Sequence, residues 1–184
     1  MIANFHARAI DDIRGASITA CHDSFPAAAE RFASANGVTA YQRLEDMLAD
    51  PSVDVVTICT PSGSHRDPAV AAANAGKHVI VEKPLAITNH EAWDIVNEAR
   101  KCKVKLMVGC DRRYWTHNQW AKKLIDDGVI GDVKFSRASL HEHWHNYQNN
   151  VAHTNFRLDC EVAGGAAVSD TGAHAIDLLT WLNG

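Results

Sequence analysis

The stretch HVIVEKPLAIT, residues 78–88, decides the fold. Its first four residues read as a strand buried on both faces, the pattern of a parallel sheet covered by helices. A carboxylate, an ammonium and a proline then follow without a spacer. A proline disfavours helical geometry in the residue before it, so Lys83 is held extended at the strand tip. In open parallel sheets, ligands sit beyond the carboxyl ends of the strands. A lysine fixed there can stabilise a developing alkoxide. A surface turn carrying a Glu-Lys pair is the plainer alternative, and it leaves the proline unexplained.

The neighbouring segments extend the pattern. Residues 2–13 place Ile2, Phe5, Ala9 and Ile13 on one helical stripe. ASITACHD (16–23) is a short β-prone run. FPAAAERFASANG (25–37) is a helix with proline at its start and Asn-Gly as its stop. VTAY (38–41) is a strand, RLEDMLAD (43–50) a helix, and VDVVTICTP (53–61) a second buried strand. DPAVAAANAGK (67–77) is helical. Thr88 and Glu91 have capping-box spacing before HEAWDIVNEARKC. VKLMVGC (104–110) is a strand and HNQWAKKLIDDG (117–128) a helix. Alternating strands and helices predict an α/β fold with a Rossmann-like parallel sheet. From residue 131 the alternation in GDVKFSRASLHEHWH suggests a strand of an open, mainly antiparallel sheet beginning a second α/β domain. The domains are read as 1–112 and 113–184.

Composition excludes several functions. The 184 residues are 46% hydrophobic and 22% charged, with a net charge of −4, so the chain can fill a core and offers no basic face for nucleic acid or anionic membrane. No run reaches a membrane span and the N-terminus lacks a signal-peptide core. Five widely spaced cysteines with no C-x-x-C fit reduced thiols, and the expected location is cytoplasmic.

Other strand ends carry candidate binding groups. Asp23 can accept hydrogen bonds from ribose hydroxyls and repel a 2′-phosphate, favouring NAD over NADP; a turn-forming aspartate is the competing reading. Thr60, Pro61 and Ser62 open a tight polar loop whose N–H groups suit an anion, or make an ordinary connection. Near the C-terminus, Asp170 and His174 lie one helical turn apart. His174 is a candidate general base whose cation a neighbouring carboxylate would favour. Asp177 is assigned to a charged outer face, and Gly164 and Gly165 allow a close approach by chain or ligand. His141, His143 and His145 share one face of a strand but lack further metal ligands, so no metal site is assigned.

These motifs, with LMVGCDRRY, LIDDGVIGDV and GGAAVSDTGAHAIDLLTWLNG, resemble the glucose–fructose oxidoreductase/inositol dehydrogenase (Gfo/Idh/MocA) family over essentially the whole chain. The resemblance implies a Rossmann domain and a substrate domain acting with NAD(P) on a small-molecule sugar, inositol or related polyol. It makes Lys83, Asp170 and His174 the catalytic set. It places Ile2, Asp23, Thr60, Pro61, Ser62, His65, Glu82 and Lys83 near the cofactor, and Arg157 with His174 near the substrate; Phe156 stands where the family usually has tryptophan. Transient use of NAD in glycoside hydrolysis or sugar–sugar hydride exchange, and a non-catalytic metabolite-binding role, remain open beside net dehydrogenation. The full-length protein is expected to be a homo-oligomer. Family members begin with a strand and G-x-G-x-x-A/G, whereas MIANFHARAI resembles the helix after that turn. The sequence is accordingly read as a fragment, also short at its C-terminus. Removal of the central strand predicts two half-sheets.

Overall fold

The structure is a computed structural model describing residues 2–141 and 159–184, with backbone alone at 161, 166 and 167. His143, His145, Phe156 and Arg157 lie outside the described residues. The chain divides into two compact units. The first comprises Met1–Thr60, His65–Val81 and Trp93–Met107; the second comprises Pro61–Ser64, Glu82–Ala92 and Val108–Gly184.

In the first unit, strand β1 (Ala20–His22) runs parallel to β2 (Thr39–Tyr41), with Ala20 opposite Thr39 and His22 opposite Tyr41. Between them in the chain lies helix α2 (Pro26–Asn36), and helix α3 (Leu44–Ala49) follows β2. The proline of α2 tolerates the first turn, where an N–H has no helical partner. Gly37, at φ 68°, ends it in the left-handed region and donates its N–H to the Ala33 carbonyl. A separate sheet has the order β3 (Val55–Ile58), β4 (His78–Val81), β5 (Leu106–Val108). The first two strands are parallel, with Val55 opposite His78 and Ile58 opposite Val81. The described strands thus form two sheets rather than one, the division that the sequence predicts.

The core forms on the larger sheet. Val56, Ile58, Val79 and Val81 are buried with Ala69, Ala72 and Ala73 of helix α4 (Arg66–Asn74) and Ile95 and Ala99 of helix α5 (Asn89–Lys101). Alanine at three inward positions lets α4 lie close to the sheet. Each fully buried valine or isoleucine contributes about 1.5–3 kcal/mol. Arg66 Nε bonds Asp94 Oδ2 at 2.8 Å and ties α4 to α5. The start of α5 carries the expected capping box: Glu91 N donates to Thr88 Oγ1 and Thr88 N to Glu91 Oε2, each at 3.2 Å.

One helix forms with its apolar stripe uncovered, and one expected strand is absent from the described residues. Helix α1 (Ile2–Asp11) forms, but Ile2, Phe5 and Ile13 are exposed and Ala7 is its buried residue. Periodicity gave the helix; burial of the stripe needs a covering element, which the described residues do not provide. Residues 131–141 are not a strand, and Phe135 is 82% exposed. Alternation favours an extended chain, but a strand exists only when a neighbour completes its hydrogen bonds. No described helix is long and apolar enough to cross a membrane.

The second unit contains a 3-10 turn at Ser62–Ser64, the Glu82–Ala92 segment, a 3-10 turn at Asp111–Tyr114, helix α6 (Thr116–Asp126), helix α7 (Cys160–Ala163) and helix α8 (Ala166–Asn183). Gly164, at φ 76°, separates α7 from α8, and a Cβ built there would stand 2.7 Å from Ile87 Cβ. Here the close approach is made by the chain segment that carries Lys83.

Candidate active site

Lys83 leaves β4 through a cis bond to Pro84, and its own N–H donates to Glu82 Oε2 at 3.2 Å. Its ammonium reaches Asp170 in α8, across 87 positions of sequence. There Nζ donates to Asp170 Oδ1 and, at 3.2 Å, to the Asp170 carbonyl oxygen. An ammonium has three N–H donors; among the described residues two go to Asp170, which leaves the third to a ligand. Both side chains are mostly covered, at 17% and 20% exposure, which strengthens the charge interaction over its value in water. Lys83, Asp170 and His174 therefore stand together in one unit.

His174 follows Asp170 by one turn and is exposed by only 15% at its side chain. Burial, then the positive charges of Lys83 and Arg112, push its pKa below the ordinary 6.5; Asp111 and Asp170 oppose the shift without reversing it. The neighbouring carboxylate favours the cation, as the spacing suggests, but burial and the two cations outweigh it. Asp170 gives Oδ1 to Lys83, and the ammonium outweighs it at the ring. The result is an imidazole neutral at physiological pH, as an acceptor of protons must be.

Four residues beside the site escaped the sequence reading. Asp111, in the second 3-10 turn, places Oδ1 3.7 Å from His174 Nδ1. The charge of Arg112 also reaches His174. Arg113 grips Asp177 with a fork: Nε donates to Oδ2 at 2.8 Å and Nη2 to Oδ1. Asp177 is thus a packed partner, not part of an outer charged face. Burial pushes its carboxyl up, but hydrogen bonds from Arg113 and Cys110 more than offset this and hold it below its ordinary range. The Cys110 thiol, desolvated and beside Asp177, is raised to about 11. The string CDRRY after an apolar strand is the only sequence signal these residues give.

The candidate cofactor residues are described unit by unit. In the first, Asp23 is exposed after β1, and its Oδ1 accepts the Phe25 N–H at 2.8 Å, forming the turn into α2. The turn-forming reading of Asp23 therefore holds, and an exposed carboxylate can still accept ribose hydroxyls. Thr60 is exposed after β3. His65 is 1% exposed and its Nε2 lies 2.9 Å from the Thr60 carbonyl oxygen, so its side chain shapes the loop from beneath. Ile2 is the first residue of α1 and is 40% exposed. In the second unit, Pro61 and Ser62 enter the first 3-10 turn, which is closed by a 2.8 Å bond from Ser64 N to the Pro61 oxygen. A strand-end carboxylate and a tight turn of backbone amides are groups that fit a dinucleotide. No cluster of metal ligands occurs among the described residues.

Comparison with known proteins identifies the family. Residues 1–110 match the oxidoreductase family with an NAD-binding Rossmann fold, and residues 118–184 match the GFO/IDH/MocA C-terminal domain. Levoglucosan dehydrogenase of Pseudarthrobacter phenanthrenivorans is 34% identical over 85% of this chain and 39% of its own length. Inositol 2-dehydrogenase of Rhizobium meliloti is 37% identical over 72% of this chain and 40% of its own. The structure of the WlbA dehydrogenase from Bordetella pertussis in complex with NADH and UDP-GlcNAcA superposes with a TM-score of 0.84 at 27% identity, over 100% of this chain and 52% of that one. The chain thus spans about half or less of the length of these proteins.

Proposed function

The chain belongs to the GFO/IDH/MocA oxidoreductase family, and on that premise we propose that it serves a nicotinamide-dependent dehydrogenase acting on a hydroxyl-bearing carbon of a sugar, inositol or related polyol. The observation that carries the proposal is the long-range contact of Lys83 with Asp170, which brings an ammonium to the helix that carries a neutral, mostly covered imidazole one turn on. Levoglucosan and inositols, the substrates in the relatives' names, are polyhydroxylated and uncharged, and define the class to be tried first.

Bound nicotinamide would supply the hydride acceptor. The chain's own residues handle the oxygen and its proton. The remaining N–H of Lys83 would donate to the substrate hydroxyl oxygen and stabilise negative charge as it develops. His174 would take the hydroxyl proton, and Asp111 and Asp170 would favour the charge the ring gains. Asp170 would keep Lys83 extended toward the site. Asp23 would take the ribose hydroxyls, so that NAD is preferred to NADP, while Thr60, Pro61 and Ser62 would line the cofactor with Glu82 beside them. His65 would act through Thr60. Arg157 is retained as a proposed substrate contact.

The test is a panel of sugars, inositols and anhydrosugars with NAD and NADP, followed through reduced-nicotinamide absorbance, on the protein as its gene encodes it. Substrate-dependent accumulation of NADH is expected. Product formation without net NADH would replace dehydrogenation by a cycle that regenerates the cofactor, and ligand binding without any turnover would leave a metabolite sensor.

A further inference from the structure

His174 has two ring nitrogens, and a proton acceptor must keep one of them unprotonated and facing substrate. Asp170, one helical turn before His174, gives Oδ1 to Lys83. The carboxylate opposite the ring is on another element: Asp111 Oδ1 lies 3.7 Å from His174 Nδ1. The turn that carries Asp111 is fastened two residues later, where the Arg113 fork closes on Asp177, one turn of α8 beyond His174. Two contacts therefore fix the register of turn against helix, and that register sets Asp111 against the ring. Asn118 of α6, 9% exposed, ties the same turn to α6 by donating to the Arg112 carbonyl at 2.8 Å.

We infer that Asp111 is the positioning residue for His174, accepting Nδ1–H and so reserving Nε2 for the substrate proton. This rests on the reading of His174 as the proton acceptor. The orienting task thereby moves from Asp170, which holds Lys83, to a residue 63 positions away from the base. At 3.7 Å the contact is longer than a direct hydrogen bond. Such contacts in a free enzyme tighten when the ring gains charge. Among the described residues, the other charges acting on the ring are Lys83, Arg112, Asp170 and Asp177. Lysines on the packed helix α6 are paired within that helix or just beyond its end, Lys122 with Asp126 and Lys123 with Asp127.

The experiment is 15N NMR of the histidine side chains as a function of pH, in wild type and in Asp111→Asn, Asp111→Glu and Asp170→Asn. The protein contains 11 histidines, so His174→Gln assigns the resonance. Wild type is expected to hold the Nδ1–H tautomer when neutral. Asp111→Asn should weaken proton binding at His174 roughly three- to tenfold, about the value of one charge at this distance in a water-like dielectric. It should also release the ring to a mixture of tautomers, while Asp111→Glu restores the wild-type pattern and Asp170→Asn leaves the tautomer unchanged. An unaltered tautomer and midpoint in Asp111→Asn, or a tautomer switch in Asp170→Asn instead, overturns the assignment. These signals do not depend on turnover. Failure of the dehydrogenase reading therefore shows itself in the absorbance panel, and failure of this inference in the spectra.

Discussion

Gly164→Ala isolates the steric requirement that brings the lysine segment against α7 and α8. The added Cβ would meet Ile87 Cβ at 2.7 Å, Cγ2 at 2.8 Å and Cα at 3.2 Å. The first and last of these belong to backbone or lie next to it, so a side-chain rotation cannot relieve them. The position is also left-handed, at φ 76°, which costs a non-glycine residue about 1–2 kcal/mol. Overpacking adds about 1–3 kcal/mol. The expected loss of stability is therefore about 2–5 kcal/mol. Gly128→Ala supplies the comparison within the same unit: its φ is 71°, and nothing lies within 4 Å of its ideal Cβ. That variant should show the backbone cost alone. Urea denaturation followed by circular dichroism measures both, and the difference between them is the steric part. Equal losses in the two variants would mean that Ile87 does not press on Gly164, and the packing of the Lys83 segment against the helix start would have to be abandoned.

Other perturbations address the chemistry. Lys83→Ala should lower turnover by at least 100-fold, the order of one lost oxyanion donor, while NAD affinity measured by fluorescence quenching changes little; wild-type turnover would remove Lys83 from the mechanism. Arg113→Ala should cost about 1–3 kcal/mol by leaving the mostly covered Asp177 without its fork. Because the folded pKa of Asp177 lies below its ordinary value, the wild-type advantage is complete above about pH 4 and is lost as pH falls through the folded value, so unfolding curves of the two proteins should converge in acid. His174 contributes with the same sign: its folded pKa is depressed, so stability should decline as pH falls below 6.5, and His174→Gln should flatten that slope. Among the thiols, exposed Cys160 should react with iodoacetamide at neutral pH well before Cys110, whose thiol is raised to about 11; mass spectrometry of partly alkylated protein reads the order directly.

The legible parts of this molecule were those set by short-range rules. A capping box at Thr88 and Glu91, a glycine stop at 37 and two apolar strands are local physics, and each occurs where the spacing placed it, although the strands bury alternate residues rather than both faces, with Val55 46% exposed. Asp170 and His174 were readable as a pair because four residues make one turn. What covers a helix is not local. Periodicity gave α1 its stripe without saying whether anything would pack on it, and Ile2 and Phe5 are exposed. The same limit hid Asp177: helical phase separates two faces, but its partner Arg113 lies 64 positions away with no spacing to announce it. The alternation from Val133 to Leu140 described a chain suited to a sheet, and the sheet requires a second chain segment that pattern alone does not supply.

The second unit is assembled from three separated pieces of chain, and the piece carrying Lys83 is flanked on both sides by segments of the first unit. A crossover placed in the natural-looking junction near Gly109 would inherit the ammonium from one parent and both Asp170 and His174 from the other. Chimeras and domain grafts in this family must then match the loop after β4 to the start of α8. A parent whose residue at position 87 or 164 differs in size would deliver a foldable nucleotide-binding half and a misaligned lysine.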